Sequence, residues 1–133
     1  MSLFIEKLKA EYGEKTVLTG DSISNRASSY WDATPITAKA IIKPTSTTQL
    51  SEIIKKCNDE EQIIVTHGGL TGCAKAADST IDHVIISTER MTAIEEFDET
   101  GGTVTVEAGA ILENVQKSVA EKGFYFPLDL GAR

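Results

Sequence analysis

Three segments carry apolar residues at the three- and four-residue spacing of a helix with one buried face. The first covers residues 3–12, and Gly13 supplies a stop. The second begins at Ser46, which opens the Ser-Thr-Thr-Gln pattern of a capping box. The third covers about Ala110–Lys122, with a glycine at its end. The side chains expected to face the core in these helices are Phe4, Ile5, Leu8, Tyr12, Leu50, Ile53, Ile54, Cys57, Ile111, Leu112, Val115 and Val119.

Short runs rich in β-branched residues predict strands between the helices. They lie at Lys39–Lys43, Gln62–Thr66, His83–Ser87, Ala93–Asp98 and Thr103–Glu107. The run at 62–66 is apolar, which favours burial on both faces, whereas the run at 103–107 alternates as a half-buried strand does.

Two further patterns decide the fold class. The segment from Asp21 to Thr37 is rich in Ser, Asp, Ala and Thr, so we expect an irregular stretch held in place by Tyr30 and Trp31. Helix and strand patterns alternate along the chain, but Thr100-Gly101-Gly102 marks one hairpin turn. We therefore predict an α+β fold with small mixed sheets and packed helices, instead of a doubly wound parallel sheet.

Composition and charge exclude several classes of protein. The 133 residues carry a net charge of −7, which argues against a general nucleic-acid binder because phosphate contacts need a basic surface. No apolar run reaches the ~18 residues of a membrane span, and the N-terminus becomes charged too soon for a secretory signal. Cys57 and Cys73 are too few for a disulfide framework and lack zinc spacing. We therefore expect a cytoplasmic protein with free thiols and no metal site.

The segment that carries candidate chemistry follows the second predicted helix and a strand expected to be buried. It reads Thr66-His67-Gly68-Gly69-Leu70-Thr71-Gly72-Cys73, so three glycines fall within five positions and leave backbone N–H groups uncovered. Consecutive N–H groups in such a turn form a concave site for an anion. Lys75 adds a positive charge, and the Thr71 hydroxyl adds a hydrogen-bond donor.

Two well-known phosphate loops do not match this segment. The glycine spacing is not that of G-x-G-x-x-G, no helical pattern follows Gly72, and G-x-x-x-x-G-K-[ST] is absent. The residues alone leave two interpretations open, a structural glycine turn and a phosphate-binding site.

The order of five motifs from Pro44 onward resembles one family. The motifs read P-T-S-T-T-Q-L-S-E-I-I, I-I-V-T-H-G-G-L-T-G, V-I-I-S-T-E-R-M-T-A-I, T-V-T-V-E-A-G-A and F-P-L-D-L-G-A-R. In this order they resemble the N-terminal part of the FAD-binding domain of FAD-linked oxidases, of the vanillyl-alcohol oxidase and p-cresol methylhydroxylase type. The resemblance is greatest to the branch that oxidises D-2-hydroxy acids, which includes D-lactate dehydrogenase, D-2-hydroxyglutarate dehydrogenase and the FAD subunit of glycolate oxidase.

The resemblance implies two sets of cofactor-binding residues. In the family, a loop of the approximate pattern R-G-G-G-T-G-L-S-G-G holds the FAD pyrophosphate with its backbone N–H groups. Its first seven positions correspond here to His67, Gly68, Gly69, Leu70, Thr71, Gly72 and Cys73. A second stretch, which passes beside the ribityl chain and pyrophosphate in the family, corresponds to Pro127, Leu128, Asp129, Gly131 and Ala132.

This sequence departs from the family pattern within the loop. Leu70 replaces a glycine, and Ala74-Lys75-Ala76 stands where Ser-Gly-Gly is usual. A side chain at Leu70 is tolerated if its φ is negative. Some relatives attach the flavin covalently through a histidine directly after the two glycines. Leu70 occupies that position here, so the resemblance implies non-covalent FAD.

The resemblance also predicts how the chain is organised. Residues 1–92 form a first lobe that contains the loop at 67–73, and residues 93–133 begin a second lobe whose remainder, like the substrate domain, lies beyond Arg133. We expect a catalytically incomplete, FAD-binding portion of a D-2-hydroxy-acid oxidoreductase, with no catalytic residue of its own. An exposed apolar face on the second lobe favours self-association. The alternative is a non-catalytic binding or assembly module that reuses the fold without tight flavin binding.

Overall fold

The structure, a computed structural model, describes residues 2–131. They divide into two compact units, one ending at Arg90 and the other beginning at Met91. The elements of the first unit are α1 (Leu3–Tyr12), β1 (Val17–Leu18), α2 (Asp21–Ser24), β2 (Ala40–Ile42), α3 (Thr47–Asp59), β3 (Ile64–His67) and β4 (Val84–Ser87). Those of the second unit are β5 (Ile94–Asp98), β6 (Thr103–Val106) and α4 (Leu112–Glu121).

The first unit is built on a sheet with the strand order β1-β2-β4-β3. Strands β2 and β3 pair with β4 in parallel, and β1 pairs with β2 antiparallel. The second unit contains a separate antiparallel hairpin of β5 and β6. This arrangement confirms the predicted α+β class with small mixed sheets.

Apolar side chains cover both faces of the four-stranded sheet. Successive residues of a strand point to opposite faces, so Ile42 and Ile86 join one core cluster while Ile41 and Ile85 join another. The first cluster contains Ile5 and Leu8 of α1 together with Ile53 and Cys57 of α3. The second contains Ile23, Ile36 and Ala38. Helices α1 and α3 thus cover the sheet with most of the residues that their apolar spacing predicted.

The ends of two helices follow the expected local chemistry. Gly13 ends α1 with a φ of 81°, a conformation that suits glycine. At the start of α3, the Ser46 hydroxyl accepts a hydrogen bond from the Gln49 N–H at 3.2 Å. The Gln49 side chain reaches back to the Thr45 N–H at 2.8 Å, one residue before the position of a standard capping box.

Three predictions in the first unit were wrong. Strand β3 is not buried on both faces. Among residues 2–131 it lies at the edge of the sheet and pairs with β4 alone, and Ile63 just before it is exposed. Ile54 does not face the core but is 44% exposed, whereas Leu50, Ile53 and Cys57 of the same helix pack against the sheet. The segment 21–37 is not irregular throughout, because it includes the short helix α2, which buries Ile23.

The second unit is less buried than predicted. Helix α4 buries Val115 and Val119, but Ile111 precedes the helix as its N-cap and is half exposed. The helix ends with Gly123 at a φ of 81°, and the Phe124 N–H donates to the carbonyl of Val119 at 3.0 Å. In the hairpin, most residues of both strands are exposed.

Apolar side chains remain exposed across the second unit. They are Ile94, Val106, Ile111, Phe124, Tyr125, Leu128 and Leu130. Within residues 2–131, every helix is too short or too polar to cross a lipid bilayer.

The neighbouring residues Ile53 and Ile54 provide a direct test of this packing. Ile53 is fully buried, whereas Ile54 is 44% exposed. Truncating a buried isoleucine to alanine costs about 2–5 kcal/mol of unfolding free energy. We expect Ile53→Ala to lose that amount and Ile54→Ala to lose less than about 1 kcal/mol in urea unfolding. Equal losses in the two variants would contradict the assigned faces of α3.

Candidate functional site

The glycine-rich loop starts at the carboxyl edge of the parallel strands. His67, the last residue of β3, pairs in register with Ser87, the last residue of β4. The chain then leaves the sheet and returns to β4 at Val84. In α/β sheets, ligands commonly bind outside the carboxyl ends of the strands. The fold therefore places the predicted loop at an edge that suits ligand binding.

A cleft of about 520 Å³ is formed by this loop and by the segment that contains Trp31. Its volume lies within the range of small-molecule sites. Of the predicted residues, Gly68–Cys73 all line the cleft, whereas His67 is buried and does not line it. The other lining residues are Ser28, Ser29, Trp31, Asp32 and Ala74–Asp78.

The loop has backbone donors without partners in the described part of the chain. Within residues 2–131, no backbone N–H from Gly68 to Gly72 donates a hydrogen bond to another protein group. The same loop residues are largely exposed. Such N–H groups are available to an anion.

Leu70 does not meet the condition of a negative φ under which a side chain is tolerated at its position. Leu70 and Lys75 both have a φ of 55°, in the left-handed region that favours glycine, whereas the loop glycines at 68, 69 and 72 do not. In the family pattern, both Leu70 and Lys75 stand at positions of glycine. The backbone therefore adopts the glycine-type conformation at these two positions although the side chains oppose it.

His67 connects the start of the loop to residue 77 through a hydrogen bond. Its side chain is 4% exposed, and its Nε2 lies 2.8 Å from the carbonyl oxygen of Ala77. Because a carbonyl only accepts, Nε2 must carry the proton. Burial lowers the pKa of His67 below its ordinary value, against the opposing effect of the Ala77 hydrogen bond. His67 is therefore a neutral residue that joins the two ends of the loop.

A charged cluster lies beside the same edge of the sheet. Glu89 forms ion pairs with Arg26 and, at 3.1 Å, with Lys43, and it accepts a hydrogen bond from the Ser87 hydroxyl at 3.1 Å. Burial would raise the pKa of Glu89, but the bonds from Arg26 and Lys43 outweigh burial and lower it. The cluster joins α2, β2 and β4 where these elements end.

The second predicted set lies in the other unit. Residues 127–131 follow α4 without regular structure, and the Leu128 carbonyl accepts a hydrogen bond from the Gln116 side chain at 2.6 Å. Pro127, Leu128, Asp129 and Gly131 are all exposed, and Ala132 lies outside the described residues. Their role in binding stays a prediction.

The two cysteines differ in their surroundings. Burial of Cys57 in the core raises the pKa of its thiol to about 11, whereas Cys73 is exposed in the loop. Sequence reasoning did not find Ser28, Ser29, Trp31 and Asp32 as part of the cleft. Their positions follow from contacts across about forty residues of chain, for which the local sequence pattern has no equivalent.

We expect glycine at position 70 or 75 to stabilise the protein. A left-handed φ costs a residue with a side chain about 1–2 kcal/mol, and glycine's larger unfolded-state entropy offsets about half of this. Leu70→Gly and Lys75→Gly should therefore each raise the free energy of unfolding by about 0.5–1 kcal/mol in urea titrations. The matched control is Ala76→Gly, because Ala76 has no positive φ and should gain nothing. A gain in the control as large as that in the other two variants would contradict the assignment.

The lowered pKa of His67 predicts a pH dependence of stability. The unfolded chain takes up a proton near the ordinary pKa of 6.5, while the folded protein does so only at lower pH. The contribution of neutral His67 is therefore complete above 6.5 and declines as the pH falls. Between about pH 8 and about pH 5.5, the wild type should lose more unfolding free energy than His67→Gln, whose amide can still donate to Ala77. Identical losses would show that His67 is protonated as easily in the folded state.

Curated relatives match most of this chain. A putative mitochondrial D-lactate dehydrogenase of Schizosaccharomyces pombe is 42% identical over 69% of the chain, and a mitochondrial D-2-hydroxyglutarate dehydrogenase of Arabidopsis thaliana is 33% identical over 97%. The matches cover 18% and 23% of those proteins, so the chain spans about a fifth of their length. The relatives are mitochondrial by name, which shows that the expectation of a cytoplasmic protein was wrong.

Solved structures share the fold at lower identity. Alkyldihydroxyacetonephosphate synthase matches 96% of this chain, and 26% of its own, with a TM-score of 0.82 and 16% identity. p-Cresol methylhydroxylase with substrate bound matches 90% of this chain, and 24% of its own, with a TM-score of 0.72 and 22% identity. These likenesses confirm the fold of the vanillyl-alcohol oxidase type.

The family assignment rests on a direct match. The sequence model of the FAD binding domain family matches residues 38–133, which include the loop and everything that follows it. The match confirms the predicted FAD cofactor and the resemblance to FAD-linked oxidases. The chain belongs to the FAD binding domain family of FAD-dependent oxidoreductases.

Proposed function

We propose that residues 67–73 form the pyrophosphate-binding loop of the FAD site, in which backbone N–H groups of Gly68–Gly72 donate to phosphate oxygens. One observation carries the proposal: these N–H groups have no partner within the described chain, and they lie in a loop with glycine-type backbone at Leu70 and Lys75. A close approach of ligand to backbone is what such a loop permits.

Local donors are required because the protein as a whole is acidic. The net charge of −7 repels a pyrophosphate group at long range. Lys75 lines the cleft and is exposed, so its ammonium group offsets part of this repulsion. The carboxylate of Asp32 also lines the cleft, but it accepts a hydrogen bond from the Thr34 N–H at 2.9 Å and is thereby held in its own turn.

The surroundings of the loop support non-covalent binding. When bound, FAD supplies the redox chemistry, and this chain supplies binding and orientation. Leu70 has no nucleophilic atom, and the Nε2 of His67 is engaged with the Ala77 carbonyl in a buried position. We therefore expect flavin to separate from the polypeptide on denaturation.

The proposed reaction is oxidation of a D-2-hydroxy acid, with lactate or 2-hydroxyglutarate as the substrate and glycolate as a further member of the class. Its support is the names of the relatives that match this chain, and their names also support a mitochondrial location. We propose residues 1–92 and 93–133 as the first lobe and the start of the second lobe of the FAD-binding domain. Contacts from Pro127, Leu128, Asp129, Gly131 and Ala132 to the cofactor, and self-association through the second unit, belong to the same proposal.

A competition experiment tests the pyrophosphate assignment. The chain is titrated with FAD by fluorescence, and we expect a dissociation constant in the micromolar range, about −8 kcal/mol in binding free energy. ADP carries a pyrophosphate and should compete, whereas FMN carries a single phosphate and should compete poorly. Gly72→Ala should weaken FAD binding about tenfold or more, because a methyl group crowds the donors.

The fold provides the control for that variant. A Cβ at Gly72 meets no atom within 4 Å and the residue has no positive φ, so the urea midpoint of Gly72→Ala should stay at the wild-type value. Competition by FMN as strong as that by ADP would refute the pyrophosphate assignment. Absence of FAD binding would favour the alternative of a non-catalytic module. The substrate class is tested separately, by assaying the native protein as cells produce it with D-lactate, D-2-hydroxyglutarate and glycolate.

A further inference from the structure

We propose that Trp31 is a positioning residue of the loop, which acts by holding Leu70 and Thr71 in the conformation that leaves the neighbouring N–H groups free. The proposal rests on the proposed function for the role of those N–H groups. Trp31 lies outside the residues matched by the family model, and it is not among the residues that the sequence predicts to bind the cofactor.

Two consecutive carbonyl groups of the loop are held by two consecutive residues. The backbone N–H of Tyr30 donates to the carbonyl of Leu70 at 3.0 Å, and the indole Nε1–H of Trp31 donates to the carbonyl of Thr71 at 3.1 Å. Both distances are typical of N–H···O hydrogen bonds. The loop is thereby bonded to a segment about forty residues earlier in the chain.

These two bonds determine where the next N–H groups point. The described residues contain no cis peptide bond, and in a trans peptide the C=O and the following N–H point in opposite directions. Fixing the Leu70 carbonyl toward Tyr30 therefore directs the Thr71 N–H away from it. Likewise, fixing the Thr71 carbonyl toward Trp31 directs the Gly72 N–H away. Both N–H groups are among those without a partner in the described chain.

The conformation that these bonds hold is one that Leu70 opposes. A left-handed φ is unfavourable for leucine, so neighbouring contacts must stabilise it. Trp31 can supply such a contact because it is itself fixed: its backbone N–H donates to the Ser29 hydroxyl at 3.2 Å, and its ring meets Tyr30 edge-to-face at 4.9 Å. The Trp31 side chain is nevertheless 68% exposed. Burial of apolar surface therefore does not account for its place at the cleft.

The experiment compares Trp31→Phe with Tyr30→Phe. The first variant removes the indole N–H and keeps an aromatic ring. The second removes only a hydroxyl and keeps the backbone donor of residue 30. We expect Trp31→Phe to weaken FAD binding about five- to tenfold, the effect of one hydrogen bond, and Tyr30→Phe to stay within about twofold of the wild type. Equal FAD affinity of Trp31→Phe and the wild type would overturn the proposal.

Repeating the Trp31→Phe substitution in a Leu70→Gly variant distinguishes a positioning role of Trp31 from direct contact with the ligand. Glycine adopts the left-handed conformation without support, so in a Leu70→Gly background Trp31→Phe should weaken FAD binding by less than about twofold. An undiminished effect in that background would overturn the proposal, because Trp31 would then act on something other than this turn. Urea midpoints of all variants verify that they remain folded.

A ligand-free measurement keeps the inference distinct from the proposed function. The chain contains one tryptophan, so its indole N–H gives a single resonance in a ¹H–¹⁵N spectrum. Without FAD, Trp31→Phe should shift the amide resonances of Thr71 and Gly72, while Tyr30→Phe leaves them in place. If the wild type binds no FAD, the proposed function fails and these shifts alone decide the inference. Unchanged Thr71 and Gly72 resonances in Trp31→Phe would overturn it.

Discussion

The pairing of β2 and β3 with the two edges of β4 is the interaction on which the rest of the first unit depends. All four residues of β4 are buried, and apolar clusters cover both faces of the sheet around it. Because both neighbours run parallel to β4, the three strands end at one edge, at Ile42, His67 and Ser87. The loop, the Glu89 cluster and the buried His67 all assemble there. Weakening this pairing would therefore disturb the candidate site.

Local periodicity predicted the elements whose environment is simple. Helix α1 covers the residues predicted for it, the Ser46 hydroxyl caps α3 as expected, and β4 lies within the strand predicted at 83–87. Predictions failed where a neighbour decides the environment. An apolar run looks the same in a central strand and in an edge strand, so the exposure of Ile63 beside β3 depends on strand order. The two-residue strand β1 is too short to produce a pattern at all.

In the candidate site, too, local sequence features were predictable and contacts with distant residues were not. Glycine content and motif order located the loop, and the structure brings Gly68–Cys73 together on one cleft. The conformations within the loop were not predictable, because glycine permits a positive φ but does not require it. The contact from Trp31 to Thr71 joins residues forty positions apart through a side chain and a backbone carbonyl. The hydrophobic periodicity of the sequence does not indicate such a bond, so it could be identified only from the structure.

The left-handed backbone at Leu70 and Lys75 determines how much of the protein is needed for the proposed anion binding. A loop with glycine at such positions can adopt the left-handed backbone conformation without help from the rest of the protein. Here, two residues disfavour that shape, and contacts from Tyr30, Trp31 and His67 hold the loop in place. An isolated peptide of residues 67–77 would relax to other conformations and lose the row of free N–H groups. The proposed anion binding therefore depends on the folded unit as a whole, although the proposed donor atoms belong to a few consecutive residues.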